Sequence, residues 1–152
     1  MAYLDADLAT PLSELMRISK YLNDDIEFVF GSRVNRIGSN IERKLHRHLI
    51  GRMIATIISS GILKIPIYDS QCGAKVMTKS VAEAVFSNKF KTNWVFDVEL
   101  IQRLLKFKKS SDINQYAKEI PLEVWTDIGD SKIKPKHYLQ IIKNLLQLYY
   151  SK

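Results

Sequence analysis

The chain has 152 residues, with 23 Lys and Arg against 16 Asp and Glu, for a net charge of +7. That length suits one domain with a real core, and 46% hydrophobic with 26% charged residues excludes wholesale disorder. The single cysteine, Cys72, excludes an internal disulfide framework and a two-cysteine metal knuckle, and it is compatible with a reducing compartment.

Residues 1–10 lack the basic-then-apolar order of a secretory signal. Tyr3-Leu4 reads as the tail of a strand running into Asp5. Thr10-Pro11 reads as an N-cap followed by proline in the first helical position, with Leu12, Leu15, Met16, Ser19 and Leu22 at helical spacing behind it. Glu27 to Phe30 is a short strand ending at Gly31-Ser32-Arg33, and residues 34–40 form a polar loop. A long helix is expected from about Ile41 to Leu63. Ile41, Leu45, Leu49, Met53 and Ile57 recur every four residues, with Ile50, Ile54 and Ile58 beside them. The apolar stretch from Leu49 to Ile67 is broken by Arg52, Lys64 and Pro66, so it falls short of an uninterrupted membrane span.

Ile67 to Gly73 reads as a strand end and a tight turn, Ala74 to Met77 as a strand, and Lys79 to Phe86 as a helix with Val81, Val85 and Phe86 inward. Trp94-Val95-Phe96 reads as a strand, with Asp97 capping a helix that carries Val98, Ile101, Leu104 and Leu105. Ile120 to Trp125 alternates as an edge strand, where Pro121 is tolerated. Tyr138 to Tyr150 is a last amphipathic helix. Strands and helices alternate, so the class is α/β. Yet no segment before Tyr3 supplies neighbouring strands.

The charge is unevenly placed. Residues 1–31 hold two basic against six acidic side chains, whereas residues 32–64 hold seven basic against Glu42 alone. Such a basic block suits an anionic partner or, more plainly, a solvated helix face. No nucleic-acid motif accompanies it, so no nucleic-acid partner is expected.

Four clusters carry possible chemistry. Asp5-Ala6-Asp7, if extended, puts two carboxylates on one face. Mg²⁺ or Mn²⁺ takes such oxygen ligands and shares them with a diphosphate; the plain alternative is an acidic turn. Gly31-Ser32-Arg33 offers close backbone approach and a guanidinium fork for phosphate, or merely a turn. Asp69 to Lys75 packs a carboxylate, an amide, a glycine turn and a lysine into one possible pocket rim. Cys72 within it reads as a packed side chain, since no nearby histidine supports a nucleophile. Asp97 stands between an apolar strand and a helix, either as an N-cap or as a general base desolvated by Trp94 and Phe96. Glu99 reads as meeting only the helix dipole.

In this order, Tyr3 to Pro11, Gly31-Ser32-Arg33, Asp69 to Lys75, Trp94 to Leu100 and Trp125 to Lys132 resemble family 2 glycosyltransferases. The branch they look most like is the dolichyl-phosphate β-glucosyltransferases and their polyprenyl-phosphate relatives. The resemblance implies a GT-A α/β fold and inverting transfer of a sugar from a nucleotide-diphosphate donor, most simply a UDP-sugar carrying glucose, to a dolichyl or polyprenyl phosphate. It implies that Asp5 and Asp7 hold Mg²⁺ or Mn²⁺ and the donor diphosphate, and that Arg33 and Lys75 meet phosphate. Arg43 and Arg47 would face the lipid phosphate, with the protein peripheral at the cytoplasmic face of a membrane. Asp97 is the first candidate for the base and Asp69 the second.

Residues 1–152 would then be the C-terminal part of such a domain, without its N-terminal nucleotide-binding strands. Three missing strand–helix units amount to roughly a hundred residues. The expectation is therefore an incomplete, weakly active or inactive piece, with the alternative of a structural remnant that pairs with another chain or a second copy through an unpaired sheet edge. Position 74 is alanine where the family pattern suggests a larger apolar residue. A reading from another class is a basic module binding a membrane surface or a polyanion.

Overall fold

A computed structural model describes residues 1–42, 45–128 and 135–150, with side chains from 51 onward in the second segment and from 139 onward in the third. Six strands, β1 (Ala2–Leu4), β2 (Phe28–Ser32), β3 (Asn40–Glu42), β4 (Ala74–Met77), β5 (Ala117–Pro121) and β6 (Val124–Thr126), are interleaved with five helices. The helices are α1 (Leu12–Ser19), α2 (Leu45–Thr56), α3 (Lys79–Val85), α4 (Phe96–Lys108) and α5 (Pro135–Tyr150). A four-stranded sheet has the order β1-β4-β2-β5; β4 runs antiparallel to both neighbours, and β2 and β5 are parallel. A separate ribbon pairs β3 with β6 in parallel. The α/β class stands.

Pleating divides the core. Phe28, Phe30 and Met77 face a cluster with α3, α4 and Leu148 of α5, whereas Val29, Ala74 and Val76 face Leu15 and Ile18 of α1 with Cys72, Leu122 and Trp125. Both faces of β2 are covered, which is why Phe28-Val29-Phe30 is apolar without alternation. Lys75 shares the Phe30 face and is fully buried.

Several expected elements differ. The helix expected from Ile41 starts later. Ile41 belongs to β3 and pairs with Trp125, and α2 passes into a π-helical turn over Ile57–Leu63 that Lys64 ends in the left-handed conformation. Met53 and Ile57, on the four-residue stripe, are exposed, whereas Ile58 and Ile62 are buried. A strict four-residue spacing drifts around a 3.6-residue helix, so the stripe does not follow one face. Thr10 does not cap α1; Pro11 occupies that position, and Leu12 and Met16 face out. Residues 67–73 form bends and a turn with no strand, and Trp94-Val95 is a turn with Phe96 already helical. Asp97 therefore sits inside the first turn of α4, with Val95 at the cap. Phe86 is exposed just past α3. Ile120 to Trp125 is divided between β5, an outer strand, and β6. Among the described residues no helix is long and apolar enough to cross a membrane.

Candidate active site

Because β4 opposes β1 and β2, the C-terminal ends of β1 and β2 and the start of β4 meet at one sheet edge. That edge gathers residues far apart in sequence.

β1 stops at Leu4, so Asp5-Ala6-Asp7 is a turn and not the extended segment expected. The Asp5 amide donates to the Gly73 carbonyl at 3.0 Å, and the Leu8 amide closes the turn on the Asp5 carbonyl at 3.1 Å. Leu8 takes a φ of 55°, a left-handed conformation costly for a side-chain-bearing residue. The Tyr3 hydroxyl donates to Asp5 Oδ1 at 2.8 Å, and the Ala9 amide donates to Asp7 Oδ1 at 3.2 Å. Burial, then the Asp5 hydrogen bond and neighbouring carboxylates, push the Tyr3 phenol well up, so it stays a donor.

Arg33 follows β2. Its Nε and Nη2 fork onto Asp69 at 2.6 and 2.8 Å, its amide also donates to Asp69, and the guanidinium lies 5.4 Å from the Trp125 ring. Burial works against the Arg33 charge, but Asp69 more than offsets it and raises its pKa. Asp69 is held in turn. Its own amide and that of Tyr68 donate to Glu119 at 2.7 and 2.9 Å. Arg52 stacks 3.6 Å over the Tyr68 ring and donates to its carbonyl. Burial raises the Glu119 pKa despite those two amides.

Lys75 donates to Asp97 Oδ1 at 2.6 Å and to the Cys72 carbonyl at 2.5 Å. Burial raises the pKa of Asp97, outweighing the lowering by Lys75 and Arg33; the Asp5 charge adds to the rise. Phe96 packs edge-on against Tyr3 at 5.5 Å and completes the apolar side. The Cys72 thiol, buried and near Asp69, is pushed up to about 12, which removes any nucleophilic role at neutral pH.

The structure thus brings together Asp5, Asp7, Arg33, Asp69, Lys75 and Asp97. Both base candidates are tied to cations, Asp69 by an arginine fork and Asp97 by one lysine contact. Glu99, expected only to meet the helix dipole, instead accepts from the Lys91 and Thr92 amides, the Thr92 hydroxyl and Arg103. Arg43 and residues 129–134 lie outside the described residues, as does the side chain of Arg47. Sequence reasoning missed Tyr3 and Glu119. A carboxylate two residues before Pro121 on an alternating strand was the only cue to Glu119, and Tyr3 read as an ordinary strand residue.

The donor set fits a hard divalent cation in part. A Cβ on Gly73 would stand 1.9 Å from Asp5 Oδ2, so glycine leaves the space this carboxylate fills. Among the described residues no group of three or more His, Cys, Asp or Glu is placed to hold a metal. A cation at Asp5 and Asp7 would therefore complete its shell with oxygens from a ligand or water. The buried Ser70 hydroxyl, next in sequence to Asp69, has no hydrogen-bond partner among the described residues.

No family model matches the chain. Curated relatives do. A dolichyl-phosphate β-glucosyltransferase of Trichomonas vaginalis is 33% identical over 95% of this chain, and one from Dictyostelium discoideum is 26% identical over 95%. The human dolichyl-phosphate β-glucosyltransferase is 32% identical over 93%. Over this stretch the chain is a homologue of the dolichyl-phosphate β-glucosyltransferases. It spans 44% of the length of each of these relatives, less than half. The glycosyltransferase resemblance read from the motifs and the homology agree. All six gathered residues lie in motifs that carry the resemblance.

Proposed function

We propose that this chain supplies the metal-holding and acceptor side of a transferase that moves glucose from a nucleotide-diphosphate donor to dolichyl or polyprenyl phosphate. The convergence of Asp5, Asp7, Lys75 and Asp97 at one sheet edge carries the reading. The names of the relatives supply the sugar and the lipid phosphate.

A cation held by Asp5 and Asp7, Mg²⁺ or Mn²⁺, supplies charge compensation to a leaving diphosphate. Tyr3 fixes one Asp5 oxygen, which orients the carboxylate before any ligand arrives. Lys75, buried and anchored by Asp97, presents positive charge at the same edge and steadies phosphate oxygens there. Arg33, locked by Asp69, adds a second fixed cation.

A phosphate monoester carries a charge of about −1.5 to −2 at pH 7, so its oxygen is already a nucleophile and little proton abstraction is required. Asp97 accordingly serves first to hold Lys75. Its raised pKa makes it better suited than the arginine-bound Asp69 to take a residual proton. Attack on the face opposite the leaving diphosphate inverts the sugar carbon. The acceptor tail implies work at a membrane surface, with Arg43 and Arg47 assigned to the lipid-phosphate side.

The test is transfer of radiolabelled glucose from UDP-glucose to dolichyl phosphate with Mn²⁺. The chain is assayed alone and in one polypeptide behind the N-terminal portion of the human relative. Little turnover is expected from the chain alone and clear turnover from the fusion, falling about a hundredfold in Asp5→Asn with Asp7→Asn. Mn²⁺ titration of the isolated chain with pyrophosphate gives a readout independent of turnover. Equal Mn²⁺ binding by wild type and the double variant overturns the metal assignment.

A further inference from the structure

Residues paired across neighbouring strands project to the same face of a sheet, so the registers define transverse rows of side chains. One row crosses all four strands. Lys75 lies opposite Tyr3 on one side and Phe30 on the other, and Phe30 lies opposite Glu119. The next row on that face, Met77, Phe28 and Ala117, is wholly apolar and buried. Packing on this face therefore does not require polar side chains. A partly buried carboxylate such as Glu119 is costly there unless it is hydrogen-bonded.

Each polar member of the first row holds one carboxylate of the candidate site, directly or through its backbone. Tyr3 donates to Asp5 Oδ1 at 2.8 Å, and Lys75 donates to Asp97 Oδ1 at 2.6 Å. Glu119 acts on Asp69 by way of the main chain. Its Oε1 accepts from the Asp69 amide at 2.7 Å, and its Oε2 accepts from the Tyr68 amide at 2.9 Å. From the other side, Arg52 donates to the Tyr68 carbonyl at 2.7 Å. The segment that carries Asp69 is thus gripped twice.

Strand β5 also sets the place of Arg33, the partner of Asp69. Gly31 and Ser32, just before Arg33, pair with Ile120 and Pro121, and the Leu122 amide donates to the Ser32 carbonyl at 2.9 Å. Both ends of the Arg33–Asp69 fork are therefore referenced to adjacent residues of one strand. Arg33 is placed through the β2 ladder, and Asp69 through the Glu119 side chain. A two-bond guanidinium–carboxylate fork needs its two planar groups aligned, so a shift of Asp69 is passed to Arg33.

We propose that Glu119 is a positioning residue of the candidate site, which sets the direction of the Arg33 guanidinium by fixing Asp69 from β5. The use of Arg33 toward phosphate rests on the function proposed above, whereas the hold of Glu119 on Asp69 does not.

The experiment is nitrogen-15 NMR of the full chain, reading the chemical shift and hydrogen exchange of the Arg33 Nε–H. Glu119→Gln keeps the size of the side chain but turns an NH₂ group toward an amide donor. It is expected to speed Arg33 Nε–H exchange about tenfold or more and to move its signal. Leu104→Ala, a core deletion on α4, lowers stability but leaves the signal where it is. Glu119→Asp keeps both oxygens one methylene short. It gives the same direction with a smaller change, and it keeps the test valid if Glu119→Gln disturbs folding. In parallel, calorimetry reads pyrophosphate binding in Mn²⁺, expected to weaken about tenfold in both Glu119→Gln and Arg33→Lys with Mn²⁺ binding alone unchanged. An unmoved Arg33 signal in Glu119→Gln, or an equal movement in Leu104→Ala, overturns the proposal. So does pyrophosphate affinity that falls in Arg33→Lys and holds in Glu119→Gln. If the signal moves as expected and neither variant alters pyrophosphate affinity, the positioning stands and the phosphate role of Arg33 falls.

Discussion

Gly73 is glycine because of Asp5. In the sequence it reads as the glycine of a tight turn. In the folded chain the atom it lacks would lie 1.9 Å from Asp5 Oδ2 and 2.1 Å from Cγ. Gly73→Ala must therefore displace a carboxylate held on its other oxygen by Tyr3. Mn²⁺ affinity, measured by titration, is expected to fall about tenfold while the melting temperature changes little, because the Asp5 side chain is partly exposed and can swing outward. The residue types of the candidate site were legible as D-A-D, G-S-R and the Asp69–Lys75 run, since each concentrates polar groups after an apolar stretch. Their pairing was not. The Arg33–Asp69 fork and the buried Lys75–Asp97 contact join segments that only the sheet brings together, and a single sequence carries no record of such contacts.

Helix α1 shows how a buried charge escapes periodicity. Leu15 and Ile18 face the core as spacing predicts, but Glu14 is buried beside them. It accepts two bonds from Arg17 and one from the Glu123 amide, while Arg17 also donates to the Pro121 carbonyl. The helix is thereby tied to the end of β5. Burial pushes the Glu14 pKa up, yet the Arg17 and Glu123 hydrogen bonds pull it further down, so the net shift is downward. A carboxyl depressed in the folded state stabilises the fold above its unfolded pKa, about 4.3, and that stability is lost as pH falls through the folded value. Glu14→Gln is expected to cost about 1–3 kcal/mol at neutral pH by urea denaturation. The gap should narrow in acid as the wild-type carboxyl is protonated; a constant gap down to pH 3 would show that charge is not the source. The α2 region failed for a different reason. Its apolar residues are dense enough to fit more than one stripe, and the π-helical turn changes the phase partway along.

Across the whole molecule, β2 joins two apolar clusters, giving Phe28 and Phe30 to one and Val29 to the other. Removing a fully buried ring there leaves a cavity, so Phe28→Ala is expected to cost about 3–5 kcal/mol. Tryptophan fluorescence and circular dichroism should still report one shared transition, since Trp94 packs on the Phe28 side and Trp125 on the other. Two separated transitions would show that the sides fold independently. The α/β class was legible from the alternation of strands and helices. The strand order was not, because hydrophobic patterning states which residues are inside and not which strand lies beside which.

The antiparallel setting of β4 against β1 and β2 also bears on fidelity. Lys75 lies opposite both Tyr3 and Phe30. Slipping β4 by one residue would turn its ammonium to the α1 side of the sheet, away from Asp97, and bring Ala74 or Val76 in its place. Of the neighbouring alignments, only one gives the buried lysine a carboxylate, and the others strand a charge in an apolar layer. The ion pair therefore favours the native strand pairing, and a chain that has settled in the wrong alignment is also one without the candidate site at this edge.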